Sequence, residues 1–345
     1  MGEVKERTMK AFELQNNFGL ENLKLIERPE PKIQNSNDVL IKIKATSLNF
    51  RDYLVVTGKY NPKFKLPFVP LSDGAGEVLE VGTSVTDFKV GDRVILQFAP
   101  KWLDGDATYE QSRYTLGGPL DGTLMEKKIY PDYALVKIPS YMSYEEAATL
   151  PCAALTSWSS LVTYGRIFPG DTVVVLGTGG VSIFALQIAK FHGAKVIVTS
   201  GSDEKIEQAK SLGADFVINY KTELEWGKKV KEITGTGADH IIEVGGAGTL
   251  EQSIKAIRPF GQISLIGILA GGAKDLNLLP VLMNNIKLQG ILVGSKAGLA
   301  AMCKAFEFHK TKPIIDKVFP FEESVQAIEY LKSGNHFGKI VISLS

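Results

Sequence analysis

A glycine turn lies between a short apolar strand and an apolar helix near the middle of the chain. It comprises Gly177, Thr178, Gly179, Gly180 and Val181. Backbone N–H groups of such a turn, together with the positive end of the helix dipole, bind a pyrophosphate, and glycine lets the ligand approach the backbone closely. Ser182 replaces the third glycine of the G-x-G-x-x-G pattern, but the turn opens a strand–helix alternation, which predicts a dinucleotide site.

The residues that end the next strand indicate which dinucleotide binds. NAD sites usually place Asp or Glu about 20 residues past the glycine turn, where it accepts hydrogen bonds from the ribose. Here that place reads Thr199-Ser200-Gly201-Ser202, and the first carboxylate is Asp203. The small Ser200 leaves room for a 2′-phosphate, and Lys205 and Tyr220 add a cation and a phenolic donor, although Lys205 also fits an ordinary exposed helix face. The pattern favours NADP(H) over NAD(H).

The elements that must position these residues are of two kinds. Between residues 9 and 137, alternating apolar strands and frequent turn residues predict an all-β, barrel-like unit. From residue 138, apolar strands alternate with helices, which predicts a doubly wound parallel sheet. The predicted strands cover residues 172–176, 195–199, 216–218, 240–244, 263–266 and 286–292, and the predicted helices cover 181–191, 203–211, 224–233, 250–257 and 296–309. We expect an α/β chain in which residues 1–137, completed by a returning tail at 313–345, form one domain and residues 138–312 form the other.

Composition excludes several other classes of protein. The 345 residues include 39 Lys and Arg against 38 Asp and Glu, a formal net charge of +1, so neither nucleic acid nor an anionic membrane is the expected partner. Two cysteines are too few for a disulfide framework or a four-cysteine zinc site. The charged N-terminal segment lacks the apolar run of a secretory signal, and no apolar stretch reaches the roughly 20 residues of a membrane span. We expect a cytoplasmic protein.

Several separated motifs, spread over essentially the whole chain, resemble those of the medium-chain dehydrogenase/reductase superfamily. LNFRD at 48–52 and DGAGEV at 73–78 resemble its GroES-like catalytic domain, LPCAALT at 150–156 its linker helix, and GKIVI at 338–342 its closing strand. The chain is most similar to the zinc-independent quinone oxidoreductases and enoyl reductases, and LNFRD resembles the enoyl reductase domains of polyketide synthases. The resemblance implies a GroES-like β-barrel domain and a Rossmann domain.

The resemblance also bears on zinc. The Cys, His and Cys ligands of the alcohol dehydrogenase branch match Asn49, Ser72 and Cys152 here. One thiol without an imidazole is not a zinc site, which needs about three protein ligands. Segment 97–116, where a structural zinc lobe would lie, contains no cysteine. We expect no metal, and interpret Cys152 and Cys303 as buried small residues.

The resemblance further implies which residues act on a substrate. Hydride transfer to an enone or a quinone leaves negative charge on an oxygen, which needs a hydrogen-bond donor or a proton source. Asn49 offers its amide as a donor, and Asp52 either fixes Asn49 or forms the turn. Tyr60 has the spacing from Asn49 of the catalytic tyrosine in mitochondrial-type enoyl thioester reductases, and is either a proton donor or a half-buried barrel aromatic. Arg51 either contacts an anionic substrate group or pairs with a carboxylate.

Two further loops follow the fourth and fifth predicted parallel strands, at the sheet edge where ligands bind. They contain Gly245 and the pair Gly267 and Ile268, which the resemblance implies flank the nicotinamide. The sixth predicted strand is apolar and lies at the sheet edge, and the resemblance implies that it pairs with the same strand of a second copy in a homodimer. Covering an exposed edge is also physically favourable.

The leading hypothesis is an NADPH-dependent reductase of quinones or of activated C=C bonds in small electrophilic substrates, working without zinc. The alternative among enzymes is an alcohol or aldehyde oxidoreductase, which is disfavoured because alcohol oxidation needs a Lewis acid or a base at the oxygen. A nucleotide-binding protein without catalysis also stays open, since fold alone does not fix function.

Overall fold

The computed structural model describes residues 7–269 and 276–344 of the chain. The chain divides into two compact units, Met1–Cys152 with Ser295–Ser345, and Ala153–Gly294. These limits differ from the predicted ones, because residues 138–152 and 295–312 belong to the first unit. Those segments are bonded to the first unit and to each other: the Tyr141 hydroxyl donates to the Phe306 carbonyl at 3.0 Å, and the Lys296 N–H donates to the Trp102 carbonyl at 2.9 Å.

The secondary structure alternates short strands and helices along the described ranges. The strands are β1 (Thr8–Leu14), β2 (Leu23–Pro29), β3 (Asp38–Ser47), β4 (Asp73–Val81), β5 (Arg93–Leu96), β6 (Lys127–Pro131), β7 (Leu135–Lys137), β8 (Thr172–Leu176), β9 (Lys195–Ser200), β10 (Phe216–Asn219), β11 (Ala238–Glu243), β12 (Ile257–Leu265), β13 (Lys287–Gly290), β14 (Ile315–Pro320) and β15 (Lys339–Ser343). The helices are α1 (Phe50–Val56), α2 (Tyr109–Arg113), α3 (Tyr144–Ala148), α4 (Leu155–Trp158), α5 (Gly180–Phe191), α6 (Asp203–Ser211), α7 (Trp226–Thr234), α8 (Leu250–Ala256), α9 (Leu279–Met283), α10 (Lys296–His309) and α11 (Ser324–Ser333). Within these ranges no helix is long and apolar enough to cross a bilayer.

The first unit is built on a mainly antiparallel sheet in the order β14-β15-β3-β4-β5-β7, with β6 also paired to β3, and β1 and β2 form a separate antiparallel pair. Val39, Ile41 and Ile43 on β3 are fully buried, which is the alternation expected of a strand with one face on a core. Val341 of β15 lies opposite Ser47 of β3 in an antiparallel pair. The C-terminal strand thus pairs with a strand of the first unit.

The second unit contains a six-stranded parallel sheet in the order β10-β9-β8-β11-β12-β13. This is the order of a Rossmann domain, in which the chain reverses direction across the sheet after the third strand. Branched apolar side chains from neighbouring strands, such as Val174, Ile197, Ile241 and Ile263, are buried together in its core. The predicted α/β class with a doubly wound sheet is confirmed.

The strands of this sheet match their predicted limits to within two residues, except that β12 begins six residues earlier. β12 begins at Ile257 rather than at residue 263, because the chain stays extended on both sides of Phe260, which has a left-handed backbone (φ 62°). β13 covers only Lys287–Gly290, because Asn285 and Val293 on either side of it also have left-handed backbones (φ 51° and 54°). A residue in that conformation interrupts the pairing of a ladder: β13 ends short of such residues, and the pairing of β12 with β11 skips from Ile257 to Gln262 across Phe260.

Candidate active site and cofactor cradle

Asn49 precedes the first residue of α1, and Asp52 is the third residue of that helix. The Asn49 N–H donates to Asp52 Oδ2 at 2.8 Å, and the Asp52 N–H donates to the Asn49 carbonyl at 2.8 Å. Such reciprocal bonds satisfy N–H groups that a helix N-terminus otherwise leaves without partners. Asp52 is fully buried, so the structure gives it one of the two predicted roles, that of fixing Asn49.

The ammonium group of Lys339, on β15, is buried beside Asn49. Lys339 Nζ donates to Asn49 Oδ1 at 2.6 Å and to the Leu48 carbonyl at 2.5 Å, and lies 4.0 Å from Asp73 Oδ2. Asn49 Nδ2 donates to Asp73 Oδ2 at 2.9 Å and lies 3.5 Å from Ser72 Oγ. This differs from the prediction that the Asn49 amide donates to a substrate. Because Lys339 holds the amide oxygen, the amide nitrogen faces Asp73, and both polar ends of the side chain are engaged.

Burial governs the charges of this cluster. Lys339 is 2% exposed, and Asp52 and Asp73 are 0% exposed. Removal from water raises the pKa of Asp73 to about 6, although the Lys339 ammonium and the Asn49 hydrogen bond oppose the rise. Burial also raises the pKa of Asp52 and lowers the pKa of Lys339. Two cations, Lys339 and Arg51, therefore accompany two carboxylates in a group of charges held away from water.

Arg51 connects this cluster to Tyr60. Arg51 Nη1 donates to Asp52 Oδ1 at 3.2 Å, so of its two predicted roles the structure contains the pairing with a carboxylate. The guanidinium carbon lies 5.2 Å from the centre of the Tyr60 ring and 5.0 Å from that of Phe98, which is a cation–π contact on both rings. Tyr60 is 38% exposed, and its hydroxyl has no hydrogen bond within the described ranges. Asn49, Asp52 and Tyr60 are thus linked through Arg51, and Tyr60 faces solvent.

The positions that match zinc ligands in the alcohol dehydrogenase branch are engaged in other contacts. Asn49 is bonded to Lys339 and Asp73, and Ser72 Oγ donates to Asp73 Oδ1 at 3.2 Å. A zinc ion here would lie close to the Lys339 ammonium, and like charges repel strongly in a medium from which water is excluded. These residues do not fit a zinc ion. Elsewhere in the described residues no group of three or more His, Cys, Asp and Glu side chains is arranged to hold a metal.

The two cysteines are both free thiols. Cys303 is buried, whereas Cys152 is partly exposed, which differs from its interpretation as a buried residue. Loss of water around the sulfur nevertheless raises the pKa of the Cys152 thiol, and the nearby Asp73 carboxylate adds to the effect.

The predicted glycine turn leads from β8 into α5. Gly177 has a left-handed backbone (φ 73°), and its N–H donates to the Thr199 carbonyl at 2.8 Å, which ties the turn to β9. Gly179 precedes Gly180, the first residue of α5, and no side chain caps that helix. A Cβ atom built on Gly177 or Gly179 would meet nothing within 4 Å, so the turn faces open space. This cradle, with the first N–H groups of α5 at its edge, fits a pyrophosphate.

Serine replaces the third glycine of the pattern, and its hydroxyl forms a hydrogen bond that holds the turn. Ser182 Oγ donates to the Leu176 carbonyl, the last of β8, at 2.7 Å. Beside it, the Val181 carbonyl accepts from Ser157 Oγ at 2.7 Å, and Thr178 is buried within the turn. These bonds fix the turn on its inner side and leave its outer side to a ligand.

The end of β9 has the features predicted to favour NADP(H). Ser200 Oγ accepts from the Ser202 N–H at 3.3 Å, and Ser202 Oγ accepts from the Lys205 N–H at 3.4 Å, which places Lys205 in the first turn of α6. Asp203, the first carboxylate after the strand, accepts from Asn219 Nδ2 at 2.7 Å. One of its two carboxylate oxygens is thus engaged by a neighbouring strand.

Two side chains that follow β10 converge on Gly201. A Cβ atom on Gly201 would lie 2.8 Å from the Tyr220 hydroxyl and 2.9 Å from Lys221 Cε, so glycine is required for this approach. Tyr220 is 43% exposed. The structure therefore brings Tyr220 to the end of β9, as predicted, and adds the cation of Lys221.

A buried carboxylate holds the loop after β11. Glu243 is fully buried, and its Oε1 accepts from the N–H groups of Gly245 at 2.8 Å and Gly246 at 3.0 Å, and from the Thr249 hydroxyl at 2.5 Å. A carboxylate with several N–H and O–H donors fixes the conformation of the peptide bonds that supply them. Gly245 is thus held in place by the strand that precedes it.

Gly267 and Ile268 follow β12 and pack against the same loop. A Cβ atom on Gly267 would lie 2.4 Å from the Val244 carbonyl, and one on Gly246 would lie 2.9 Å from the Gly267 carbonyl. The Ile268 side chain is 69% exposed. The two predicted loops therefore touch each other at the carboxyl ends of β11 and β12.

Sequence reasoning does not identify three of these residues. Lys339 has no local signal, because its partner Asn49 is 290 positions away in the chain. Glu243 does have a local sequence signal, because it is an acidic residue at the end of an apolar strand and just before a glycine pair. Lys221 is a cation beside the predicted Tyr220, and only the close approach to Gly201 shows where its side chain lies.

Two family models match the chain. The model described as an alcohol dehydrogenase GroES-like domain matches residues 35–140, and the model described as a zinc-binding dehydrogenase matches residues 180–307. The first lies in the unit that contains Asn49 and Tyr60, and most of the second lies in the unit that contains the glycine cradle.

Known proteins match the chain over nearly its whole length. A zinc-type alcohol dehydrogenase-like protein of Schizosaccharomyces pombe is 44% identical over 94% of this chain and 96% of its own. The acryloyl-coenzyme A reductase of Sulfurisphaera tokodaii is 31% identical (92% and 96% covered), and the quinone oxidoreductase of Pongo abelii is 27% identical (99% of each covered). A solved structure from Sinorhizobium meliloti, named as an alcohol dehydrogenase, matches with a TM-score of 0.91 at 44% identity, covering 99% of this chain and 100% of that one.

The raised pKa of Asp73 predicts how stability depends on pH. In the folded chain Asp73 titrates at about 6, against 3.8 for a solvated aspartate, so the folded state holds its proton over that interval. Its contribution to stability is complete below about pH 4 and is lost as the pH rises through 6. Asp73→Asn removes this titration. We expect the free energy of unfolding of the parent, relative to the variant, to fall by about 2 to 3 kcal/mol between pH 4 and pH 7.

Urea unfolding at several pH values measures this difference, and Asp87→Asn, at an exposed position, is the control. Parallel pH curves for the parent and Asp73→Asn would show that Asp73 is not protonated in the folded state at mildly acidic pH.

Proposed function

The chain belongs to the medium-chain dehydrogenase/reductase superfamily of oxidoreductases, and we propose that it is an NADPH-dependent reductase that works without a metal. Its substrate, in this proposal, is a small carbonyl compound with an activated C=C bond, or a quinone. We also propose a reducing cytoplasm as its location, because both of its cysteines are free thiols.

The buried ammonium of Lys339 is the observation that carries the proposal. It is bonded to Asn49, at a position that matches a zinc ligand in the alcohol dehydrogenase branch, and lies 4.0 Å from Asp73. A fixed positive charge therefore exists in this part of the first unit without any metal. An enone or a quinone is itself an electrophile, so its reduction does not require the Lewis acid that alcohol oxidation does.

The cofactor proposal rests on the glycine cradle and the end of β9. Bound NADPH would supply the hydride, and the turn at Gly177 and Gly179 would hold its pyrophosphate. Ser200, Tyr220 and the lysines at 205 and 221 would surround the 2′-phosphate, while Asp203 is bonded to Asn219.

In this proposal the first unit supplies the proton that completes the reduction. Tyr60 has a free hydroxyl on an exposed ring, so it can give its proton to the reduced substrate and regain one from solvent. The Arg51 guanidinium against the ring stabilises the phenolate that is left. Arg51 is itself held by Asp52, which places the proton donor at a fixed distance from the Asn49–Lys339 pair.

The names of the relatives support more than one substrate. Acryloyl-coenzyme A reductase and quinone oxidoreductase agree with the proposal, whereas the S. pombe relative and the S. meliloti structure are named for alcohol dehydrogenase chemistry. An alcohol or aldehyde oxidoreductase is therefore the second candidate.

Oxidation of NADPH by the metal-free protein, followed by absorbance, separates these functions. We expect turnover with an enone or a quinone as acceptor, at a rate that a chelator does not change. Aldehyde reduction that stops with chelator and returns with zinc would establish the second candidate instead. Tight NADPH binding without turnover of any acceptor would indicate a nucleotide-binding protein.

Tyr60→Phe tests the proton donor. The variant keeps the ring and its contact with Arg51 but loses the hydroxyl, so kcat with the enone should fall about 100-fold or more. The KM for NADPH should change little, because the hydroxyl acts on the reduced substrate whereas the glycine turn would hold the cofactor pyrophosphate. Tyr109→Phe, at a side chain that is 81% exposed, is the matched control. Unchanged kcat in Tyr60→Phe would exclude the role.

Lys205→Ala and Lys221→Ala test whether these two lysines bind the 2′-phosphate. Each loses a cation, so the KM for NADPH should rise about tenfold, while that for NADH stays close to the parent value. Lys210→Ala, on the exposed face of α6, is the control. If the KM for NADPH and the KM for NADH rise equally in both variants, neither lysine contacts the phosphate.

A homodimer through the edge strand β13 is part of the proposal. β13 is the last strand of the parallel sheet, and α9 precedes it with Leu279, Leu282 and Met283 exposed by 59%, 73% and 70%. Exposed apolar side chains beside an unpaired strand edge are stabilised by covering them. Sedimentation equilibrium should give twice the chain mass of 37.6 kDa, and Leu282→Glu should return the monomer while Leu224→Glu does not. A monomeric parent protein would end this part of the proposal.

A further inference from the structure

A cleft opens at the amino ends of the parallel strands, within the second unit. It encloses about 540 Å³ and lies at the starts of β8, β11, β12 and β13. The glycine cradle and the loops at Gly245 and Gly267 follow the carboxyl ends of β8, β11 and β12, at the other edge of the sheet. The cleft is therefore separate from the cofactor cradle, and its volume is within the range of about 300 to 1,000 Å³ typical of small-molecule sites.

The cleft contains cationic side chains that the protein does not neutralise. Arg166 has no ion pair and no side-chain hydrogen bond in the described ranges. Lys287 Nζ donates to the Tyr164 carbonyl at 3.1 Å, a neutral partner, so its charge also stays uncompensated. A third cation, Arg258, is paired with Asp239 at 2.5 Å. An oxyanion bound in this cleft would lie near two cations that have no acidic partner among the described residues, Arg166 and Lys287. The third cation, Arg258, lies in the same wall.

The remaining acidic residue of the cleft is already engaged. Asp171 Oδ2 accepts from the Phe168 N–H at 2.8 Å and from His240 Nε2 at 3.1 Å. Burial lowers the pKa of His240, although Asp171 opposes this, and the side chain is 6% exposed. The Asp171–His240 pair forms a fixed part of the wall and leaves the charge balance of the cleft positive.

The backbone of the cleft is strained at two positions. Arg166 (φ 54°) and Phe260 (φ 62°) both have left-handed conformations, which side-chain-bearing residues rarely adopt. Hydrogen bonds hold each in place: the Arg166 N–H donates to the Val162 carbonyl at 3.2 Å and the Phe260 N–H to the Asn284 carbonyl at 2.9 Å. Strain of this kind persists where the surrounding structure enforces it, and it is concentrated at ligand sites.

Two aromatic rings complete the lining. Phe168 and Phe260 are 68% and 72% exposed, although each is large and apolar. Rings beside unpaired cations suit a ligand with one charged end and one flat apolar end. We propose that this cleft is a second ligand site, for a small molecule that joins a phosphate or carboxylate to an aromatic or similarly flat group.

Histidine resonances provide a direct test that does not depend on catalysis. The chain has four histidines, and only His240 lines the cleft, so 13C-labelled histidine gives a spectrum in which a single signal, identified by its loss in His240→Gln, reports binding. The probes are phenyl phosphate and inorganic phosphate. We expect phenyl phosphate to shift the His240 signal with saturation at millimolar concentration or below, and inorganic phosphate to bind more weakly.

Variants at exposed positions identify the contacts. Arg166→Gln and Lys287→Gln should each weaken phenyl phosphate binding about tenfold. Phe168→Ala should weaken phenyl phosphate and leave inorganic phosphate unchanged. Lys229→Gln, on the exposed face of α7 in the same unit, should change neither. A His240 signal that phenyl phosphate does not move, or that moves equally in Arg166→Gln, Lys287→Gln and Lys229→Gln, would overturn the proposal. Because the readout is binding in the absence of any acceptor, the outcome is independent of the proposed reductase activity.

Discussion

The first unit depends on how one buried positive charge is accommodated. An ammonium group that leaves water loses several kcal/mol of solvation, and only close partners restore it. Lys339 finds them in the Leu48 carbonyl, the Asn49 amide and the Asp73 carboxylate. These partners belong to the start of α1 and to β4, whereas Lys339 belongs to β15. The charge therefore connects the C-terminal strand to two elements far away in the sequence, and a change in any of them leaves the others unpaired.

The same charge accounts for the arrangement of the neighbouring polar groups. Asn49 has its oxygen toward Lys339, so its nitrogen faces Asp73, and Asp52 is left to bond the Asn49 backbone and Arg51. Each of these hydrogen bonds fixes the orientation of the group that forms the next one. Two carboxylates and two cations are balanced in a volume without water, where an additional divalent ion would have to displace the lysine or repel it. The Tyr60 hydroxyl lies at the outer, exposed end of these contacts and has no hydrogen bond within the described residues.

Local sequence predicts the parts of the molecule whose physics is local. The glycine turn at 177–180 and the helices at 203–211 and 296–309 were recoverable, because a strand, a turn and a cap each depend on a few adjacent residues. The role of Asn49 was not, because it depends on a lysine 290 positions away that a strand pairing brings beside it. The sequence does not predict the limits of β12 and β13 for a related reason, since Phe260 and Val293 have backbones that their residue types disfavour.

The two edges of the parallel sheet show two ways of offering positive potential to an anion. At the carboxyl edge, the potential comes from N–H groups and a helix N-terminus, and glycine at 177 and 179 keeps the surface bare. At the amino edge, the potential comes from the side chains of Arg166 and Lys287. Backbone donors are fixed in place and cost no side-chain entropy on binding, whereas long cationic side chains must be ordered by the ligand. For the same charge, a site of the second kind is therefore expected to bind its anion more weakly.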